Sequence, residues 1–255
     1  MNLRLIGMVH LGPLPGSPRF AGDLEAVAKA AVADARTLAA AGFDAVMVEN
    51  LGDAPFYPDD VPKVTVAAMA RIAADVSREA SLPIGINVLR NDAAAALAVA
   101  AASGASFIRV NVLSGVMHTD QGTITGRAAE IARLRAAFAP QVRVLADVFV
   151  KHAVPPPGLT IEQAAGDLWE RAGADGIVVS GAATGRPLDP DRLAAVHAAV
   201  PDAPLYAGSG VTVSTVAGLL ETCAGVIVGT SIKAGGVTTA PVDAARAAAL
   251  VEAAR

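Results

Sequence analysis

The sequence holds a single cysteine, Cys223, so no disulfide can form within the chain, and a reducing compartment suits it. Charge is also scarce. Asp, Glu, Lys and Arg make up 17% of residues, the net charge is −4, and no cluster of Lys and Arg occurs. Without a basic patch the chain lacks the electrostatic footprint of a nucleic-acid binder, so nucleic acid is not an expected partner. Long apolar runs are missing as well. The run from Leu5 to Leu11 is ended by Gly12-Pro13, and later ones are broken by Asp, Arg or Glu every few residues. None reaches the ~20 apolar residues of a membrane span, and the first is too short for a signal-peptide core with its cleavage site. The expectation is therefore no membrane insertion and a cytoplasmic location.

What is present is alanine and β-branched residues in alternation. Hydrophobic residues reach 53%, which argues against disorder. Short strand-like runs at 4–11, 45–50, 83–89, 107–113, 142–150, 176–181, 204–210 and 225–229 alternate with helical stretches near 24–41, 63–80, 92–103, 127–138, 161–172, 190–200, 214–222 and 243–254. Local punctuation agrees with these limits. Asp189-Pro190 reads as a capping carboxylate before a first-turn proline, and Thr160 with Gln163 has capping-box spacing. Gly42, Gly104 and Gly173 read as left-handed helix stops. Strict β-α alternation implies parallel strands with right-handed crossovers. Eight such units in 255 residues favour closure into a (β/α)₈ TIM barrel over an open doubly wound sheet. With no linker or composition break, the expectation is one α/β domain over 1–255. The alanine-rich outer helices leave room for a homo-oligomer.

Such barrels build their sites from strand C-termini and the loops that follow. Polar residues stand at those positions: His10, Glu49-Asn50, Asn87, Arg109 and Asn111, Asp147 with Lys151, and Ser180. Asp147 and Lys151 are expected to form the acid–base pair, with Asp147 facing Arg109 and Asn111 from the neighbouring strand. Strand alternation would send Phe149 and Lys151 inward with Asp147. Lys151 would steady a developing oxyanion, or act as a Schiff-base nucleophile were its pKa depressed. Glu49 and His10 read either as a base with its orienter or as two ligands of a divalent metal. Spacing alone does not support a metal, and no cofactor is expected. Asn50, Asn87, Arg109, Asn111, Ser180 and Thr184 are the candidate substrate contacts.

Two glycine turns close the chain: Gly208-Ser209-Gly210 and Gly229-Thr230-Ser231, the latter followed by Lys233. Turns of this kind before helix starts leave backbone N–H groups unpaired, and two at neighbouring strand ends make an anion site suited to a phosphate monoester. The expected partner is thus a small phosphorylated metabolite.

The segments Ile6 to Pro18, Val48-Glu49-Asn50, Asn87-Val88-Leu89, Arg109-Val110-Asn111, Ala146 to His152, Ala183-Thr184-Gly185, Gly208 to Val211 and Gly229 to Lys233 together resemble the BtpA/SgcQ family across the chain. The resemblance implies a barrel of the phosphate-binding kind. Its founding member is associated with photosystem I biogenesis, and other relatives sit among sugar-metabolism proteins, so it implies no single reaction. The leading expectation is an enzyme on a phosphorylated sugar or nucleoside-like metabolite, by lyase, isomerase or transferase chemistry. The alternative is an accessory factor for photosystem I biogenesis without catalysis of its own.

Overall fold

The computed structural model describes residues 3–181 and 188–255. Eight parallel strands close a ring in chain order: β1 (Leu5–His10), β2 (Ala45–Glu49), β3 (Ile84–Asn87), β4 (Phe107–Val110), β5 (Arg143–Val148), β6 (Gly176–Val179), β7 (Leu205–Ala207) and β8 (Gly225–Val228), with β8 pairing back to β1. Eight helices follow the strands: α1 (Leu24–Ala41), α2 (Lys63–Ala80), α3 (Ala93–Ser103), α4 (Ala128–Phe138), α5 (Ile161–Gly166), α6 (Pro190–Ala199), α7 (Val216–Thr222) and α8 (Ala244–Ala253). A wider π turn carries α5 on to Arg171. The caps work as their chemistry dictates. Asp189 accepts from the Asp191 amide, Thr160 and Gln163 form a reciprocal box, and Gly42 and Gly104 end their helices in the left-handed region.

Alternation along each strand divides the apolar residues between two cores. Val46, Val48, Ile84, Ile86, Ile108, Val144, Ile177 and Val226 look outward onto the helices. Ile6, Met8, Met47, Phe107, Leu145, Val178, Tyr206 and Ile227 fill the ring itself. Large inward side chains fit because glycines face them. A methyl group on Gly85 would lie 2.1 Å from the Phe107 ring, and one on Gly176 would lie 2.7 Å from the Tyr206 ring. The apolar plug forms a floor, and the next inward position is polar on β1 to β6 and glycine on β7 and β8.

Three short strands lie outside the ring. Val116–Thr119 pairs antiparallel with both Gly122–Thr125 and Ala153–Val154. The sequence reads 114–126 as loop only; in fact a hairpin packs Met117 and Ile124 on Val112 and Val150. That packing corrects a second expectation. β5 stops at Val148, Phe149 and His152 take positive φ of 46° and 59°, and Phe149 leaves the barrel interior to join the apolar residues beside the hairpin. Lys151 reaches the mouth from a kinked turn, not from a continued strand. Cys223 is buried, and burial pushes its thiol up to about 11, which leaves it unreactive.

Candidate active site

His10, Glu49, Asn87 and Arg109 are successive partners in the register of β1 to β4 and form one polar layer above the apolar floor. Within it and its neighbours two arrangements differ sharply. In the first, the Asp147 carboxylate accepts from Arg109 Nε at 2.8 Å, Arg109 Nη2 at 2.7 Å, Asn111 Nδ2 at 2.9 Å and Ser180 Oγ at 3.3 Å. Its side chain is 0% exposed. Asn87 Nδ2 donates to the Arg109 carbonyl at 3.1 Å, and its buried Oδ1 has no donor among the described residues.

This network keeps the expected contacts of Asp147 with Arg109 and Asn111 and adds Ser180. A carboxylate bound by three donor side chains and closed from solvent has no lone pair aimed at a substrate. In this arrangement Asp147 holds the Arg109 guanidinium in place. Asn111 and Ser180 are likewise engaged within the network, and Asn87 joins it through Nδ2 alone. Asn50 stands apart from this network. Its Oδ1 accepts from the Leu89 amide at 2.7 Å and its Nδ2 donates to Asp53 at 3.0 Å, so it braces the loops after β2 and β3. Thr184 lies outside the described residues.

The second arrangement is open. His10 Nδ1 lies 3.0 Å from the Thr238 carbonyl oxygen. A carbonyl only accepts, so Nδ1 carries the proton and Nε2 presents its lone pair when the ring is neutral. Nε2 lies 3.7 Å from Glu49 Oε1, too far for a direct hydrogen bond. Burial holds the imidazole below its ordinary pKa, against the pull of Glu49, and the positive charges of Lys233 and Lys151 act in the same direction as burial. Both side chains line a mouth cavity of about 210 Å³, together with Arg109, Lys151 and the two glycine turns. Lys151 is also held below its usual range, first by burial and then by Arg109.

The glycine turns meet in this cavity. Gly208 N–H donates to the Val179 carbonyl and is not available to a ligand. The N–H groups of Ser209, Gly210, Thr230 and Ser231 have no acceptor among the described residues. Ser231 Oγ is buried and unpartnered as well. Ser209 Oγ accepts from Gly181 N at 2.6 Å, which ties the turn after β7 to the end of β6. Lys233 is a correction. Its ammonium is fully buried and donates to Asp34 of α1 at 2.6 Å, so the side chain closes the ring on the helix side and does not reach the anion turn. Among the described residues no three His, Cys, Asp or Glu side chains converge as a metal site.

Two residues escape the sequence reading. Arg90, 5% exposed, donates from Nη2 to the Lys151 carbonyl at 2.6 Å. It follows the Asn87-Val88-Leu89 segment at a strand C-terminus, and a charged residue at that place was the available signal. Thr238 orients His10 through its carbonyl and meets Thr230 through its hydroxyl at 3.0 Å. Only the turn at Gly235-Gly236 hinted that this loop folds back over the barrel.

The model of the BtpA family matches residues 1–255. The chain belongs to the BtpA family. An uncharacterized protein of Thermococcus kodakarensis is 51% identical over 98% of this chain and 95% of its own length. The photosystem I biogenesis protein BtpA of Synechocystis is 45% identical over 98% and 87%. The putative sgc region protein SgcQ of Escherichia coli is 32% identical over 97% and 92%. Among solved structures, orotidine 5'-phosphate decarboxylase from Pyrococcus horikoshii superposes with a TM-score of 0.60 at 12% identity, covering 98% and 99% of the two chains. N-(5'-phosphoribosyl)anthranilate isomerase from Pyrococcus furiosus gives 0.58 at 14%, covering 98% of each. Those likenesses establish the TIM-barrel fold of this family member. Among the described residues no helix is long and apolar enough to cross a membrane.

Proposed function

We propose that the chain is a cytoplasmic enzyme acting on a small phosphorylated sugar or nucleoside-like metabolite, by lyase, isomerase or transferase chemistry that needs a proton moved. The observation that carries this reading is the neutral His10, with its tautomer set by Thr238 and its free nitrogen facing the same cavity as the unpaired amides. The amides of Ser209, Gly210, Thr230 and Ser231 hold the phosphate, with Ser231 Oγ as a further donor. His10 Nε2 takes a proton from the bound substrate, and Glu49 stabilises the imidazolium so formed. Lys151 steadies negative charge developing on a substrate oxygen. The solved neighbours named above are enzymes named for phosphorylated substrates, which agrees with this choice of ligand.

Two measurements test it. Gly229→Asp sets a carboxylate beside the anion turn, so calorimetry should find phosphate binding abolished; equal affinity in that variant would move the site elsewhere. Incubation with triose and pentose phosphates in deuterated water should show carbon-bound exchange or turnover, reduced about 10²–10⁴-fold in His10→Asn. Neither exchange nor turnover with any phosphosugar would remove the enzyme reading.

A second reading, an accessory factor for photosystem I biogenesis, rests on the name of the Synechocystis relative. A docking factor needs a continuous apolar face. The large exposed apolar side chains among the described residues, Tyr57, Val64, Phe138, Val154, Val213 and Val237, sit on different elements. The catalytic reading is preferred on that ground.

A further inference from the structure

Phosphate binding and proton transfer occupy the amide turns, His10 and Glu49, and on the other side of the mouth they use Lys151 alone and leave Arg109 without a ligand. The amide turns follow β7 and β8. Arg109 stands on β4 and Lys151 just beyond β5. In a closed ring of eight strands β4 lies four places from β8, so Arg109 and Lys151 stand on the side of the cavity away from the Gly229 turn, while Arg109 Nη2 also comes near Gly208 at the start of the β7 turn. Lys151 makes no ion pair among the described residues, and the carboxylates of Glu49 and Asp147 act on its ammonium only from beyond contact distance. Arg109 gives Nε and Nη2 to Asp147, and its Nη1 has no acceptor among the described residues. Arg90 fixes the Lys151 backbone from below and adds a third positive charge nearby.

A partly buried cation without a partner is costly, and the fold keeps this one in a cavity already equipped for an anion at its far side. Resting on the phosphate reading above, we propose that the cavity takes a ligand with two anionic ends, a short phosphorylated carboxylic acid whose phosphate sits at the glycine turns and whose carboxylate bridges Lys151 and the free edge of Arg109. A carboxylate fits better than a second phosphate for two reasons. The available donors are one ammonium and one guanidinium edge, which match a planar monoanion. Glu49 also lines the cavity, and its negative charge would oppose a dianion at this end. The volume of about 210 Å³ lies below the range of drug-sized pockets and limits the ligand to a few carbons between the two ends. Burial depresses the Lys151 pKa, and an arriving carboxylate would oppose that shift and hold the amine protonated.

The test compares 3-phosphoglycerate with glycerol 3-phosphate, two esters of similar length that differ in carrying a carboxylate or an alcohol at the far end. Titration calorimetry on the full chain should find 3-phosphoglycerate bound at least about tenfold more tightly. Lys151→Met should remove the preference and leave glycerol 3-phosphate binding intact, while Lys151→Arg should keep it. Should Lys151→Met not fold, the wild-type protein suffices. At mildly alkaline pH, binding of 3-phosphoglycerate should take up a proton, read as a heat that varies with the buffer, and binding of glycerol 3-phosphate should not. Equal affinities for the two esters, or a preference that survives Lys151→Met, would overturn the two-ended ligand and leave phosphate binding standing. If neither ester nor inorganic phosphate binds, the phosphate reading falls and this inference falls with it.

Discussion

Two buried acid–base partnerships share the top of this barrel, and they are built on opposite principles. Arg109 and Asp147 meet in a bidentate pair at 2.7 and 2.8 Å, with Asn111 and Ser180 occupying what remains of the carboxylate. His10 and Glu49 stand 3.7 Å apart, with one imidazole nitrogen tied to a backbone carbonyl and the other free. The pairs come from the same stretch of strand ends and have similar burial. What differs is saturation. A saturated carboxylate holds geometry and has no lone pair left for a ligand; an unsaturated pair tolerates its own poor electrostatics and has capacity left for a proton.

Breaking the saturated pair should produce the largest effect. Asp147→Ala leaves the Arg109 guanidinium buried without its counter-ion, and a loss of about 3–5 kcal/mol is expected in urea unfolding. A loss below ~1 kcal/mol would show that the network is not structural. Crowding the same network comes next. A methyl group on Gly208 would lie 2.5 Å from Ser180 Oγ and 3.3 Å from Arg109 Nη2. Neither neighbour can yield without disturbing Asp147, so Gly208→Ala should cost about 1–3 kcal/mol in the same assay.

Disturbing the open pair should cost stability little and change its pH dependence. His10→Asn forfeits at most one hydrogen bond to Thr238, about 1 kcal/mol near neutral pH. In the wild type, His10 titrates below its unfolded value of about 6.5. The unfolded chain therefore binds more protons in the window between the two values, and stability must fall as pH drops through it. Asparagine removes that dependence, so the acid limb of a melting-temperature profile should be shallower in the variant; parallel profiles would mean that His10 is not the group responsible. The smallest effect is expected from Gly229→Ala. The added methyl would lie 3.2 Å from His10 Cε1 and 3.5 Å from Met8 Cγ, a tight contact and an ordinary one, neither of them with backbone. Stability should change by less than ~1 kcal/mol while phosphate-ester affinity falls measurably.

The contrast also explains which parts of the molecule were legible beforehand. Strand and helix positions follow from periodicity and caps, and α1 and α2 have the expected limits because Asp23 and Gly42, or the extended Pro62, mark where helical backbone stops. The hairpin at 116–125 stayed hidden since its strands carry four residues each and alternate weakly. Polar residues at strand ends announce a site in any such barrel. Residue type does not reveal whether a side chain is engaged by its neighbours. Asp147 and Glu49 read alike in sequence, and only the positions of Asn111, Ser180 and Arg109 separate them. Lys233 misled for a similar reason, because its partner Asp34 lies 199 residues earlier. Thr238 acts through a backbone carbonyl, a group that every residue possesses, so its side chain gave no sign of the role.

The link between Asp34 and the end of the chain has a consequence in time. Asp34 accepts from Lys233 Nζ at 2.6 Å and from the Val242 amide at 2.8 Å, and β8 must pair with β1 before either bond can form. A nascent chain stopped before Gly225 exposes the unpaired edges of β1 and β7 and leaves Asp34 with no cation to meet. These are among the most sequence-distant contacts in the protein, and contacts of that kind form late in folding. The same final segment supplies the Gly229 turn and Thr238. Sealing of the ring and completion of the anion cradle therefore depend on the same segment, and a ligand captured there would act as a clasp on that joint.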